Sequence, residues 1–307
     1  MYYNSFNQAM KARFGKKIYK IALEGGFTCP TRDGKLGTRG CIFCSLKGSG
    51  DFAEPVAEDI FTQIERAKER VSAKSGGGPF VAYFQNYTNT YGPVEKLEKL
   101  FSEAISHPEI VALSIGTRPD CLPEDVLDLL ERLNQIKPVW VELGLQTINP
   151  ESAKYIRRGF DLACFDDAVK NLRARGIETI VHMIIGLPGE AAEDIYATAQ
   201  YISDSGADGI KLQLLHVLRG TDLLSDYEAG KFAPLEMDEY IELLAGCIRR
   251  LRPEIVIHRM TGDGPKKDLA APLWSADKKN VLNSINRAFR EWDLVQGELA
   301  RPLVLSE

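Results

Sequence analysis

The sequence predicts an α/β fold: six parallel βα units closed or partly closed as a barrel, with an α-rich extension behind them. Three observations carry this reading. Short runs rich in Val, Ile and Leu alternate with helical stretches about six times, at roughly thirty residues per unit. The apolar runs show little period-two alternation, which is the pattern of a parallel sheet covered on both faces. The beat changes after Val217, dividing the chain into residues 1–217, a partial barrel with a cysteine loop near its start, and residues 218–307, a helical extension packed on it. A doubly wound open sheet has the same rhythm, because periodicity does not set strand order.

Ile18–Leu23 (IYKIAL) is the first apolar run and leads directly into the cysteine loop. Glu58–Lys74 is amphipathic and therefore helical, and the Ser75-Gly76-Gly77-Gly78-Pro79 stretch ends it. Phe80–Phe84 is of strand type and Val94–His107 helical. The same alternation gives strands at Ile110–Ile115, Val139–Leu145, Glu178–Ile185 and Gly209–Leu215. Helices fall between them at Pro123–Ile136, Leu162–Arg175 and Ala191–Ser205. Beyond Val217 the reading gives a helix at Met237–Leu251, one more strand at Ile255–His258 and a closing helix at Lys278–Trp292. No internal repeat underlies the rhythm.

Composition narrows the function classes. The chain has 307 residues, 44% hydrophobic and 26% charged, as an ordinary globular protein does. No apolar run reaches membrane-spanning length, and the start (MYYNSFNQAM) lacks the layout of a signal peptide, so a cytoplasmic protein without a membrane partner is expected. Its six cysteines are then expected to stay reduced. Net charge is −5, yet residues 1–50 carry nine Lys/Arg against Glu24 and Asp33, and residues 249–290 carry ten against four acids. If those ends meet they form a basic surface, although solvated helix and loop charges give the same count.

The stretch Cys29–Cys44, CPTRDGKLGTRGCIFC, holds Cys29, Cys41 and Cys44 among Gly34, Gly37 and Gly40. Such a loop can wrap closely around something compact, and thiolates at these spacings suit a metal or an iron–sulfur cluster. Three sulfurs leave a four-position centre one ligand short, and an open position is characteristic of a catalytic site. A zinc site completed by a histidine is the alternative. Cys121, Cys164 and Cys247 read as spectator or core thiols.

In barrels of this type the working face lies at the C-terminal ends of the strands. There the sequence sets the cysteine loop, Gln85–Thr90, Gly116–Cys121, Glu142 with Gln146-Thr147, His182 with Gly186–Glu190, and Gln213 with His216. His182 and His216 are candidates for substrate chemistry or for satisfied interior imidazoles, while His107 reads as structural. Glu142, Asp120, His258, Arg259 and Asp263 are candidate substrate contacts, each with a salt-bridge alternative. Gly262 and Gly264 read as turn formers, and no phosphate-binding GxxxxGK[ST] occurs.

At these residues the chain resembles the radical S-adenosylmethionine (SAM) enzymes. The wide first cysteine spacing is similar to that of the elongator-type radical SAM domain and of the YhcC/YtqA-like family. The resemblance to that family runs through YFQNYTNTY, TRPDCLP, ELGLQT, GLPGE and TGDGPKKDL, nearly the whole chain. It implies a partial (β/α)6 TIM-like barrel of the radical SAM type. It also implies a [4Fe-4S] cluster on Cys29, Cys41 and Cys44 whose fourth iron holds SAM, and an electron donor such as flavodoxin or ferredoxin. The cofactor contacts it implies are Phe43 beside the adenine, and Gln85, Asn89 and Thr90 near the SAM amino group. Gln146 and Arg158 would form a ribose- and carboxylate-binding pair, with Ile184, Ile185 and Gly186 flanking the adenine and Gln213 on the sixth strand. Phe160 stands where relatives often show His.

The function this resemblance implies is maturation of a tRNA wobble uridine, converting a 5-carboxymethylaminomethyl group towards 5-aminomethyl. The basic ends would hold phosphates, and Tyr2, Tyr3 and Phe6 would stack a base or simply pack. A second reading keeps the chemistry but takes a small carboxylated metabolite, such as a tetrapyrrole or cofactor precursor, with Arg118, Arg157, Arg158 and Arg219 serving its carboxylates. A third, from another class, is a metal-stabilised binding module without catalysis.

Overall fold

Each apolar run becomes a strand of one sheet in the computed structural model, which describes residues 2–262 and 264–301. The strands are β1 (Tyr19–Leu23), β2 (Phe80–Phe84), β3 (Ile110–Thr117), β4 (Val139–Gln146), β5 (Glu178–Ile185) and β6 (Gly209–Leu214). A short β7 (Val217–Leu218) is followed by β8 (Val256–Arg259) and β9 (Leu269–Ala271). The order is β1-β2-β3-β4-β5-β6-β8, every neighbouring pair parallel, while β7 pairs with β9 antiparallel. Strands that follow one another around the sheet are wound as a barrel, so the doubly wound layout is excluded. β1 and β8 are the two edges, and the curled sheet remains a half-barrel. Its seventh strand comes from beyond Val217, so that stretch completes the sheet as well as adding helices.

The helices are α1 (Phe6–Phe14), α2 (Ile60–Ser75), α3 (Val94–Ser106), α4 (Glu124–Asn134), α5 (Pro150–Tyr155), α6 (Leu162–Ala174), α7 (Ala192–Asp204), α8 (Asp222–Glu228), α9 (Met237–Arg250) and α10 (Lys278–Glu291). α1, α5 and α8 were not expected from periodicity, each being short. The longer ones start and stop where the sequence provides for it. The Asp59 carboxylate accepts from the Thr62 amide at the start of α2, and Gly76 at φ 63° closes it.

Alternation along the strands sorts the residues. Ala82, Phe84, Leu113, Ile115, Val141, Leu143, Val181 and Met183 face outward and pack under the helices in the main core. Facing inward, Val81, Ala112, Trp140 and Ile180 form a second apolar layer, closed at the N-terminal end of the sheet by Met10 and Phe6 of α1. Two residues farther along each strand the inward positions turn polar: Tyr83, Ser114, Glu142 and His182, joined by Lys20 of β1 and Lys211 of β6. Period-two order is thus present inside a sheet whose sequence reads as almost uniformly apolar.

The sheet's edges are covered, as exposed strand edges must be. Ser5 bridges Ile257 on β8, and Glu54 bridges Leu23 on β1. Of the two roles read for the N-terminal aromatics, Tyr3 and Phe6 take the packing one. Tyr3 packs edge-on against Phe289 at 6.1 Å, and Phe6 sits 4.8 Å from His258 and 6.2 Å from Trp140. Lys16 and Lys17 lie just before β1, at the end of the sheet opposite the cysteine loop.

Candidate active site

The loop after β1 is held by the loop after β2. Tyr87 donates its hydroxyl to the carbonyl of Leu46 at 2.6 Å, and its amide to the carbonyl of Gly48 at 3.0 Å. The Gln85 side chain donates to the Ser49 carbonyl at 2.9 Å. Thr88 donates its hydroxyl to Sγ of Cys29 at 3.1 Å and its amide to the Thr28 carbonyl. From within the cysteine loop, Arg32 donates to the carbonyls of Cys44 and Ser45 at 3.2 and 2.8 Å. Two glycines make these approaches feasible. Gly40 (φ 72°) would drive a Cβ to 2.7 Å from the Arg32 guanidinium, and Gly48 (φ 61°) to 2.4 Å from the Tyr87 ring.

Cys29, Cys41 and Cys44 all line one cavity of about 230 Å³ at the C-terminal ends of the strands. Burial pushes the Cys29 thiol up and the Cys41 thiol to about 12, so both need a cation to ionise. Among the described residues, the group of three ligating side chains whose donor atoms all lie within 4.8 Å of one another is Glu65, His107 and Glu109, not the cysteines. Ligands of one tetrahedral zinc stand only about 3.8 Å apart. An all-sulfur donor set wider than one ion requires therefore fits a polynuclear iron–sulfur cluster better than zinc. The Glu65 group already has its cation, since Lys68 bonds both Glu65 and Glu109, and His107 is 3% exposed beneath it, a structural residue.

The residues expected to contact SAM separate into two groups. Phe43, Gln85, Gln146, Arg158 and Gln213 line the cysteine cavity, as does Ile184. Asn89, Thr90, Ile185 and Gly186 do not line it. Asn89 is fully buried, and its amide donates to the carbonyls of Phe84, Asn86 and Gly116. Thr90 is spent on Thr117 and the Cys121 carbonyl, both at 2.5 Å. Ile185 points outward into the main core, as strand alternation next to Ile184 requires. Gln146 has φ 66°, an unusual conformation outside glycine, and its amide folds back over Gly144, where a Cβ would meet it at 2.6 Å. Arg158 donates to the carbonyls of Thr147 and Phe160 at 2.6 and 3.1 Å and lies over the Phe160 ring at 4.7 Å.

Of the other arginines considered for carboxylates, Arg118 is bidentate to Asp120, both bonds 2.8 Å, and Arg157 pairs with Asp222. Cys121 and Cys247 are buried, but Cys164 is half-exposed near the start of α6 rather than in the core. Gly262 and Gly264 border the His216 ring, where a Cβ would come to 2.5 and 2.8 Å. They line the cavity together with His216 and Arg259, while Asp263 lies outside the described residues.

At the floor of the cavity the candidates Glu142, His182 and His258 meet four residues that sequence reasoning did not single out for the site, Lys20, Tyr83, Ser114 and Lys211. Glu142, 1% exposed, accepts at Oε1 from Lys20 (2.6 Å) and Ser114 (2.6 Å), and at Oε2 from His182 (2.6 Å) and Lys211. Lys211 also donates to the Tyr83 hydroxyl at 3.0 Å, and Lys20 to Nδ1 of His258 at 3.3 Å. Burial opposes ionisation of Glu142, but the two ammoniums outweigh it and hold the carboxyl well below its usual range. Burial, with Lys211 close by, lowers His182 to about 4, so it is a neutral donor at physiological pH. Lys20 and Lys211 each lie between two apolar residues of a strand, a signal that both need buried partners.

Comparison with known proteins identifies the family and the fold. The profile of the radical SAM superfamily matches residues 36–202, and that of the radical SAM C-terminal domain matches residues 207–291. YtqA of Bacillus subtilis (strain 168) is 42% identical over 301 residues, 98% of this chain and 94% of YtqA. A tRNA uridine(34) acetyltransferase of Methanocaldococcus infernus is 28% identical over 159 residues, 50% of this chain and 28% of that protein. Among solved structures, archaeal Methanocaldococcus infernus Elp3 with an N-terminal deletion superposes with a TM-score of 0.69 at 20% identity, covering 91% of this chain and 64% of that one. No described helix is long and apolar enough to cross a membrane.

Proposed function

The chain belongs to the radical SAM superfamily, and from that premise we propose that this enzyme acts on a tRNA wobble uridine. The reaction we assign is oxidative loss of the carboxymethyl unit from a 5-carboxymethylaminomethyl group: the carbon beside the carboxylate would give up a hydrogen atom and then an electron, and water would release the unit as glyoxylate and leave 5-aminomethyl, with SAM as the net two-electron oxidant. A binding module without catalysis is set aside by the family itself.

The observation that carries the reading is the shared cavity: three thiols at one end, a polar floor at the other, and both reachable by one small group. When bound, the cluster and SAM supply a 5′-deoxyadenosyl radical that takes a hydrogen atom from substrate. The chain's own residues hold and shield. Cys29, Cys41 and Cys44 bind the cluster, and the loop after β2 fixes their backbone through Tyr87, Gln85 and Thr88. Phe43, Gln146, Arg158 and Gln213 border the space for SAM. Beneath them the half-barrel interior keeps water from the reacting atoms.

The tRNA part draws support from the similarity to the tRNA uridine(34) acetyltransferase. Lys35 and Lys47 on the loop after β1, and Lys266 and Lys267 just after the cavity-lining Gly264, are exposed and suited to phosphates, while the exposed Arg39 is paired with Asp222. The small-metabolite reading is favoured by one fact: Lys16 and Lys17, part of the N-terminal basic run, lie at the opposite end of the sheet. Nucleoside mass spectrometry of tRNA from cells lacking the protein decides between them. Accumulated 5-carboxymethylaminomethyluridine with loss of 5-aminomethyl products is the expected result; an unchanged profile would overturn the tRNA reading and leave the small metabolite.

A further inference from the structure

The floor of the cavity carries more positive charge than its own carboxylate answers. Lys20 and Lys211 converge on Glu142, one from each side, and Glu142 is the one acid that either lysine pairs with among the described residues. Removing charge from water is costly unless it is paired, so two ammoniums around one carboxylate leave a buried excess. Lys20 is fully occupied, with Glu142, Ser114 and His258 around its ammonium. Lys211 is not: its partners are Glu142 and Tyr83, and an ammonium has three N–H donors. Lys211, Tyr83, Glu142 and His182 all line the cavity that the three thiols share, and the Lys211 side chain is 4% exposed. The Tyr83 ring lies 4.2 Å from its ammonium and helps fix it in place.

We propose that Lys211, held by Glu142 and Tyr83 and backed by Lys20, receives a carboxylate of the substrate at the floor of the cavity. Lys211 is thus a specificity-determining residue, and the substrate class is one whose reacting carbon lies next to a carboxylate. The assignment deepens the reading given above, where that carboxylate is the end of the carboxymethylaminomethyl group. It holds equally for a free amino-acid-like metabolite, which shares the same chemistry.

The test measures equilibrium binding below pH 7, where the folded protein keeps the Lys211 proton, to the reconstituted, SAM-loaded enzyme for two ligand pairs. One is an anticodon-stem oligonucleotide carrying 5-carboxymethylaminomethyluridine against its carboxamide. The other is N-methylglycine against N-methylglycinamide. Wild type should favour the acid over the amide by about tenfold to a hundredfold, as a charge-assisted bond to one buried ammonium allows. Lys211→Met should erase the preference and Lys211→Arg should keep most of it. Glu142→Gln removes the competing carboxylate, so it should hold or tighten acid binding, an effect that loss of a purely structural ion pair would not produce. If Lys211→Met does not fold, the Arg and Gln variants decide alone. Equal binding of acid and amide in both pairs, a preference that survives in Lys211→Met, or one lost in Glu142→Gln would overturn the proposal. A Lys211-dependent preference confined to N-methylglycine would uphold it and remove the tRNA reading. An oligonucleotide converted normally, with no acid preference, would do the reverse.

Discussion

Thr88, wholly buried, donates its hydroxyl to the sulfur of Cys29 at 3.1 Å. A hydrogen bond to a cluster-binding thiolate stabilises the reduced state more than the oxidised, because the reduced state holds more negative charge on sulfur. Thr88→Val keeps the shape and removes the donor. The midpoint potential of the reconstituted cluster should move in the negative direction, and Thr88→Ser should restore it. Redox titration followed by electron paramagnetic resonance reads this directly, and an unmoved potential in Thr88→Val would refute the role.

The cysteines divide into two sets by position. Cys29, Cys41 and Cys44 line the cavity, whereas Cys121 and Cys247 are buried among other side chains and Cys164 is half-exposed near the start of α6. Alanine at any of the first three should abolish stable iron and sulfide incorporation. Alanine at Cys121, Cys164 or Cys247 should leave both contents at the wild-type level. Iron retained by any one of the first three variants would show a different ligand set.

How much of this was legible follows from what kind of signal each part leaves. Strand and helix order came through because apolar runs such as FVAYF and VWVELGLQ are short, carry β-branched and aromatic residues and each follow a proline, Pro79 or Pro138. α1 was hidden: it is nine residues long and covers the end of the barrel with Phe6 and Met10, a tertiary role that local periodicity does not record. The motif YFQNYTNTY ends β2 and forms the loop after it, and its members do different work. Gln85 and Thr88 brace the cysteine loop, and Asn89 and Thr90 tie backbone together beneath the cavity. Only geometry separates those roles. At the floor, Glu142 and His182 were legible from their place at the strand ends, but Lys20 and Lys211 were passed over inside strands read as apolar, when a lysine there already demands a partner such as Glu142.

Gly48 tests the fit between the two loops. It sits at φ 61°, and a Cβ would stand 2.4 Å from the Tyr87 ring, whose hydroxyl anchors Leu46. Gly48→Ala should cost about 2 kcal/mol of stability, from left-handed backbone and overpacking together. It should also lower iron content. Gly37 is the control: there a Cβ would meet only the Thr31 carbonyl, at an ordinary 3.5 Å. Gly37→Ala should stay within about 0.5 kcal/mol of wild type. Urea unfolding measures both, and equal effects would dissolve the argument from loop contact.

Lys211 should leave a mark on stability as a function of pH. Burial, opposed by Glu142 and assisted by Lys20 and Arg259, draws its ammonium down to about 7 from the ordinary 10.5. The charged and titratable groups facing it are Lys20 from β1, Tyr83 from β2, Glu142 from β4, His182 from β5 and His258 and Arg259 from β8. A lowered lysine works in the opposite sense to a stabilising ion pair. Between pH 7 and 10.5 the unfolded chain still holds the proton that the folded chain has released. The unfolded state then binds more protons, and stability rises with pH across that window. Below pH 7 both states are protonated and the contribution is flat. Lys211→Met has no such proton, so the stability of wild type minus that of the variant should climb as pH rises from 7 towards 10.5 and stay level below it. Urea unfolding of both proteins across the range gives the difference. A difference that falls with rising pH would mean that Glu142 holds the ammonium charged in the folded state, with the buried excess of charge answered by some other group.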